Sequence, residues 1–370
     1  MTDHSSHRYE ALDAVRGIAA VTVLISHLTP YGLMSDKDLW GDLKWLPIRI
    51  LWGGHQAVIL FFVLSGFSLY VMWERSPGLR NLGGYIASRI ARLYPTYIAS
   101  LLLAGGVLWL TTPGFDISLR SALSHLLMVG DFDFNAVNPP IWSIIHEMRI
   151  SLVFPVIFYA ALRWPISTMV LTVGFSTALG LFTLSNERMN MLNAAGLSSW
   201  MMSVHYATMF AAGAALARVR SRFLASTASS WPMPKSVFLI LALGLYMYPF
   251  DNPWNAGERL LGDLVIMVGS GALLILALAT PHALSAAPLR FLGRISFSLY
   301  LTHHACITAA KWLAGGEQAN NWILWAVSIA LAFPAAYLMY LLVERPSQQL
   351  GRWIRKTCQR QHPPIIVKGI

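Results

Sequence analysis

Apolar windows long enough to cross a bilayer recur at about ten places along this chain: roughly residues 11–29, 54–73, 94–111, 141–161, 166–184, 201–218, 236–250, 260–280, 295–313 and 322–343. In lipid each such segment must satisfy its own backbone hydrogen bonds, and only helices do that one segment at a time. The expected fold class is therefore all-α, a polytopic membrane helix bundle of about ten transmembrane helices. Composition excludes a soluble alternative, because 56% of residues are hydrophobic and 12% charged, too few to cover a soluble domain of 370 residues.

Charge distribution orients the bundle. With the N-terminus in the cytoplasm, most of the 27 Lys and Arg fall on the cytoplasmic side, including Arg75, Arg80, Arg89 and Arg92, then Arg218, Arg220 and Arg222, then the tail from Arg345 to Lys368. This is the positive-inside pattern, and it favours an even number of spans with both termini cytoplasmic in a bacterial inner membrane. The net charge of +10 follows from topology, so no nucleic-acid partner is expected. The polar N-terminus carries no cleavage pattern, and the first span is expected to remain as a signal anchor. The expected organisation is a transmembrane domain over residues 1–350 and a basic cytoplasmic tail over 351–370. Cys306 sits in an apolar helix and Cys358 in the basic tail, which argues against a disulfide between them.

Several spans carry more ionisable groups than lipid-embedded packing requires. The first, LDAVRGIAAVTVLISHL from Leu12 to Leu28, holds Asp13, Arg16 and His27. Eleven positions at about 100° each return Arg16 and His27 to within about 20° of one face, about 16 Å apart along the axis. Asp13 and Arg16 are also placed to neutralise each other at the membrane edge. In the second span Ser65 and Gly66 form a small pair that permits close backbone approach. Arg89 and Arg92 share a helix face, and their forked guanidinium groups suit phosphate; Arg16 is expected to converge with them on a polyanion pocket.

The fourth span places Ser143, Glu147 and Ser151 at every fourth residue, with His146 and Arg149 on the neighbouring face. Ionisable groups inside a span mark a functional site or a bracing network. The second His of an HExxH metal motif is replaced by Ile150, so no catalytic metal is expected. The ninth span holds Ser296, Tyr300, His303 and His304. Adjacent histidines diverge by about 100°, so at most one of the two shares a cavity with Tyr300. Glu344 stands at the end of the last span, available to pair with an arginine.

In this order LDAVRG with ten residues between Arg16 and His27, LFFVLSGF at 60–67, RIARLYP at 89–95, WSIIHE at 142–147 ahead of LVFP, LGRISFSLYLTHH at 292–304 and VERP at 343–346 resemble the acyltransferase 3 family of bacterial membrane O-acyltransferases. The resemblance spans nearly the whole chain. Two departures are Ala14, where Gly is common, and HEMR at 146–149, which replaces a more aromatic continuation after the fourth-span Glu. Because the chain stops after the tenth span, it is expected to lack the extracytoplasmic hydrolase-like domain that some members carry.

The resemblance implies transfer of an acyl group, most often acetyl from acetyl-CoA, to a hydroxyl of a carbohydrate or glycoconjugate such as exopolysaccharide, O-antigen or glucan. No permanently bound cofactor is expected; acyl-CoA is a substrate. The residues expected to take part in catalysis are His27, His146, Glu147, Tyr300 and His303, and those expected to hold the donor are Arg16, Ser65, Arg89, Arg92 and Ser143. His27 is the expected base, or the carrier of the acyl group in a relay; Glu147 orients an imidazole or receives a proton; Tyr300, Ser143 or a ninth-span histidine supplies oxyanion donors. The competing class is a transporter or flippase in which the same charges line a solute path. No inverted repeat supports it.

Overall fold

The computed structural model describes residues 3–29, 47–75, 82–128, 137–185, 196–224, 233–248, 255–316 and 320–361. Arg80 and Lys368, used above for orientation, lie outside them. The described elements are α1 (Asp3–Leu28), a 3-10 turn (Pro47–Trp52), α2 (Gly54–Arg75), α3 (Leu82–Thr111), the short α4 (Leu119–Leu127), α5 (Ile141–Arg163), α6 (Pro165–Ser185), α7 (Gly196–Leu224), α8 (Lys235–Tyr246), α9 (Ala256–Ala279), a 3-10 turn (Pro281–Leu284), α10 (Ala287–Leu313), α11 (Asn321–Met339), a π-turn (Tyr340–Glu344) and α12 (Arg345–Gln361). No strand occurs among the described residues.

Seven of these helices are long and apolar enough to cross a membrane. The remaining expected windows are also helical. α8 has 12 residues, whereas α7 and α10 have 29 and 27 but carry the buried serines and histidines that lower their mean hydropathy. The bundle's outer face is apolar, and polar groups are set into its apolar interior. Leu102, Val156, Ile166, Leu171 and Leu342 are exposed, whereas Ser100, Ser176, His205, Asp263, Ser298 and His303 are fully buried. A water-soluble protein does not sustain such an outer face; lipid does.

Two helix pairs form the frame around the site. α1 and α10 run in parallel with a constant offset, Gly17 lying on Leu292 and Gly293 and His27 on His303. A Cβ at Gly17 would collide with the Leu292–Gly293 backbone, and one at Gly293 with the backbone of Asp13. α2 and α7 are pressed together in the same way: Gly66 abuts the backbone of Phe210, and Gly213 abuts Val63 and Phe67. Small residues are how membrane helices obtain this approach, and of the Ser65–Gly66 pair Gly66 serves it here while Ser65 faces Glu147. Phe62 fills the seam against Tyr206 and Phe210, with ring centroids 4.8 and 5.8 Å away.

α11 does not end at the bundle's edge. The wide turn at Tyr340–Glu344 carries it into α12, which lies along α3 with Gly351 against the carbonyl of Ser88. Position 350 falls inside α12, and residues 362–370 of the expected tail lie outside the described residues.

Candidate active site

Between α1, α2, α3, α5, α10 and the α11–α12 junction lies a cavity of about 370 Å³. One end is rich in charge: Asp13, Arg16, Arg89, Arg92, Arg294, Glu344 and Arg355 line it. The other end is formed by Val58, Phe62, Ser143, Ile144 and Tyr300, with Glu147 and Ser65 on the wall between. Five guanidinium groups face three carboxylates, so the cavity is net cationic.

Each arginine is held differently. Arg16 Nη1 donates to Asp13 Oδ1 at 2.6 Å, the neutralising pair expected from their spacing, and both residues still line the cavity. Arg89 is buried; its Nη2 donates to Ser151 Oγ at 2.8 Å and lies 3.7 Å from Glu147 Oε1. Tyr85 fixes that part of α5 by donating its hydroxyl to the Ser151 carbonyl at 2.6 Å. Arg92, one turn along α3, is exposed and, like Arg294, has no ion pair among the described residues. Arg16, Arg89 and Arg92 thus do converge, joined by Arg294 and Arg355 from α10 and α12, which sequence reasoning had not singled out. Glu344 pairs with no arginine among the described residues. Its carboxylate accepts from Ser298 N, Ser298 Oγ and Gln348 Nε2 at 3.2, 2.5 and 2.8 Å.

At the far end Ser143 Oγ and Tyr300 Oη are 2.6 Å apart, and both lie within reach of the Pro140 carbonyl, at 3.2 and 3.0 Å. Asn138 Nδ2 donates to the Leu301 carbonyl at 3.0 Å, tying the segment before α5 to α10. Ser65 Oγ donates to Glu147 Oε1 at 3.1 Å. Ser143, Glu147 and Ser151 therefore form one polar stripe of α5: two line the cavity and the third anchors Arg89.

His27, His146 and His303 are not among the residues that line the cavity. Beyond the glycine seam, His27 faces α10 and its ring centroid is 4.9 Å from that of His303. His303 in turn lies 6.0 Å from the Tyr300 ring, and His304 meets His27 edge-on at 6.1 Å. His27 Nδ1 is 2.9 Å from the Val23 carbonyl, which only accepts, so that nitrogen carries the proton and Nε2 the lone pair. His303 Nδ1 is 3.2 Å from the Leu299 carbonyl, which leaves its Nε2 as an acceptor 3.4 Å from His27 Nδ1.

His146 points the other way. Its Nδ1 is 2.8 Å from Ser203 Oγ, and its ring packs on Trp142 and Tyr206. Arg149 is also a brace: it donates to Ser199 Oγ at 2.7 Å and to the Met128 carbonyl at 2.9 Å, and lies 4.1 Å from the centre of the Trp200 ring. Met128 is the left-handed C-cap of α4, φ 55°, so Arg149 places a cation on a helix C-terminus and fastens α4 to the bundle.

A further polar cluster escaped the sequence reading. Asp263 of α9, fully buried, lies between His55 of α2 and His205 of α7, with imidazole nitrogens 2.5 and 3.3 Å from its two oxygens. The available signal was a lone carboxylate inside the apolar window at 260–280.

The chain is 23% identical to peptidoglycan O-acetyltransferase OatA of Listeria monocytogenes serovar 1/2a over 95% of its own length, but it spans 57% of that protein. It is 24% identical to BcsY of Komagataeibacter xylinus, provisionally named a membrane-bound transacylase, over 92% of this chain and 83% of that protein. No solved structure matches it. The acyltransferase-domain profile of the acyltransferase 3 family matches residues 9–341, and the chain belongs to that family.

Proposed function

We propose that this protein is a membrane-bound O-acyltransferase that moves an acyl group, acetyl in the simplest case, from acyl-CoA to a hydroxyl of a carbohydrate or glycoconjugate acceptor. The observation that carries the reading is one cavity with five arginines at one end and the Ser143–Tyr300 hydroxyl pair, with Glu147 beside it, at the other. Phosphates need the first and an acyl-transfer centre the second. We place both termini in the cytoplasm and the protein in the inner membrane, so that the arginines face the cytoplasmic donor.

In this reading Arg16, Arg92, Arg294 and Arg355 grip the nucleotide phosphates, and the pantetheine arm runs inward past Ser65. Arg89, committed to Glu147 and Ser151, fixes the wall more than it contacts phosphate. At the far end Ser143 and Tyr300 turn their O–H groups from Pro140 and each other onto the thioester oxygen as it gains charge. The acceptor oxygen forms the new C–O bond while the C–S bond breaks, and the acceptor proton passes through the base to the departing thiolate.

Glu147 is the cavity's carboxylate nearest that centre, and His27, behind the cavity wall, offers an imidazole whose Nε2 has no hydrogen-bond partner among the described residues. A proton on His27 Nε2 leaves an imidazolium whose Nδ1–H is held by Val23 and His303, which makes His303 a positioning residue. We assign His146 and Arg149 to bracing. Membranes containing the protein, incubated with labelled acetyl-CoA, are expected to form alkali-labile acyl esters on surface glycans that membranes of a deletion strain do not form. Glycan translocation with no ester formed would favour the transporter reading.

A further inference from the structure

We propose that Arg259, hydrogen-bonded to His55, whose ring Asp263 orients and Trp142 stacks on, forms the subsite that receives the hydroxyl-rich ring of the acceptor; this rests on the transferase reading above. The hydrogen bonds run one way. A guanidinium donates and cannot accept, so Arg259 Nη2, 2.8 Å from His55 Nδ1, donates to that nitrogen, and His55 must donate its Nε2–H to Asp263 Oδ1 at 2.5 Å. His205 Nε2 supplies the other carboxylate oxygen at 3.3 Å. Asp263 thereby orients His55, and His55 orients Arg259.

The cluster is not a closed brace. Among the described residues Arg259 uses a single N–H, and its Nε is buried with no hydrogen-bond partner; His205 Nδ1 is left in the same state. A buried donor left unsatisfied is costly, and a guanidinium so placed is fitted to a ligand's acceptor atoms. Location names the ligand. His55, Val58 and Phe62 follow at i, i+3 and i+7 on α2, and Val58 and Phe62 are walls of the cavity. Trp142 precedes Ser143 and lies parallel to the His55 ring at 6.4 Å. His55, which holds Arg259, thus stands one helical turn of α2 beyond the Val58 wall, at the end away from the five arginines.

Charge selects between donor and acceptor. The arginine cavity is net cationic, whereas Asp263 offsets Arg259 here, so this site suits an uncharged polyol better than a polyphosphate. The partly buried Trp142 indole, stacked on the His55 that holds Arg259, and the guanidinium N–H groups together supply what a sugar ring offers partners to: C–H faces for the aromatic and oxygens for the donors.

The test uses the purified full chain in detergent with tetrasaccharides of glucose and of N-acetylglucosamine as probes, read by thermal shift and by transfer from acetyl-CoA. The parent is expected to respond to acetyl-CoA and to at least one tetrasaccharide. Arg259→Gln is expected to keep the acetyl-CoA response and donor KM while its saccharide affinity falls by about tenfold or more and kcat changes little. Arg259→Lys, which keeps the charge opposite Asp263, carries the same test if the Gln variant does not fold. Unchanged saccharide affinity in a folded variant, equal loss of both ligands, or a parent that binds acetyl-CoA but neither saccharide would overturn the subsite. A parent that binds no acetyl-CoA would overturn the transferase reading itself.

Discussion

Arg89 Nη2 lies 3.7 Å from Glu147 Oε1 across the wall of the cavity, and the same nitrogen donates to Ser151 one turn along α5. The pair links α3 to α5 at the boundary between the cationic end and the hydroxyl end. Its partial burial means that neither charge can be removed without consequence for the other.

Glu147→Gln keeps a hydrogen-bond acceptor for Ser65 and removes a negative charge from a cationic cavity. Acyl transfer is expected to fall by about 100- to 10,000-fold, the range for losing a general base. Affinity for acetyl-CoA should hold or rise, because the carboxylate no longer offsets Arg89. Single-turnover transfer and equilibrium binding on the same preparation check both halves; parental transfer would remove Glu147 from the proton path.

His27→Gln retains a side-chain amide near Val23 but cannot cycle a proton. If His27 is the base or the acyl carrier, transfer drops by a similar factor of about 100 to 10,000 while insertion and donor binding persist. A merely packed His27 predicts instead a stability loss on the order of 1–3 kcal/mol, with activity following the amount of folded protein. Labelled-acetyl transfer per folded molecule separates the two.

Arg149→Ala is expected to behave as the structural case. It leaves Ser199 and the Met128 carbonyl short of a donor and frees α4, at a cost of about 1–3 kcal/mol for each buried group left unpaired. Folded yield in detergent should fall while kcat per folded molecule stays near the parental value. A selective loss of kcat with parental yield would return Arg149 to the chemistry.

The helices were legible because hydropathy is a property of each segment alone, and the expected windows all coincide with helices. The polar stripe Ser143–Glu147–Ser151 and the convergence of Arg16, Arg89 and Arg92 were legible too, since helical spacing fixes a shared face. What spacing along one helix does not fix is the neighbour that the face meets. His27 shares a face with Arg16 as expected, yet the Gly17–Gly293 contact brings α10 so close that His27 meets His303 outside the cavity's walls. His146 and Arg149 meet Ser203 and Ser199 of α7, a neighbour that their spacing on α5 does not name. His55, His205 and Asp263 each look like a single polar residue in its own helix, and their meeting across 208 and 58 positions is a tertiary fact.

Orientation has its own test. In sealed cells Cys358 should be protected from an impermeant thiol reagent, whereas a cysteine in place of Arg120 on α4 should react. Labelling of Cys358 from outside would end the assignment of a cytoplasmic C-terminus and, with it, the side from which the donor enters.

The most direct measurement is equilibrium binding of acetyl-CoA to the purified full-length protein, parent against an Arg92→Ala, Arg294→Ala double variant, at low and high salt. These two arginines line the cavity and hold no ion pair among the described residues, so their loss should spare the fold. The parent is expected to bind, more weakly as salt rises, and the variant to bind about 10- to 100-fold more weakly with a flatter salt dependence. A parent that does not bind acetyl-CoA, or a folded double variant with the parental affinity and salt response, would contradict the assignment of this cavity to the acyl donor.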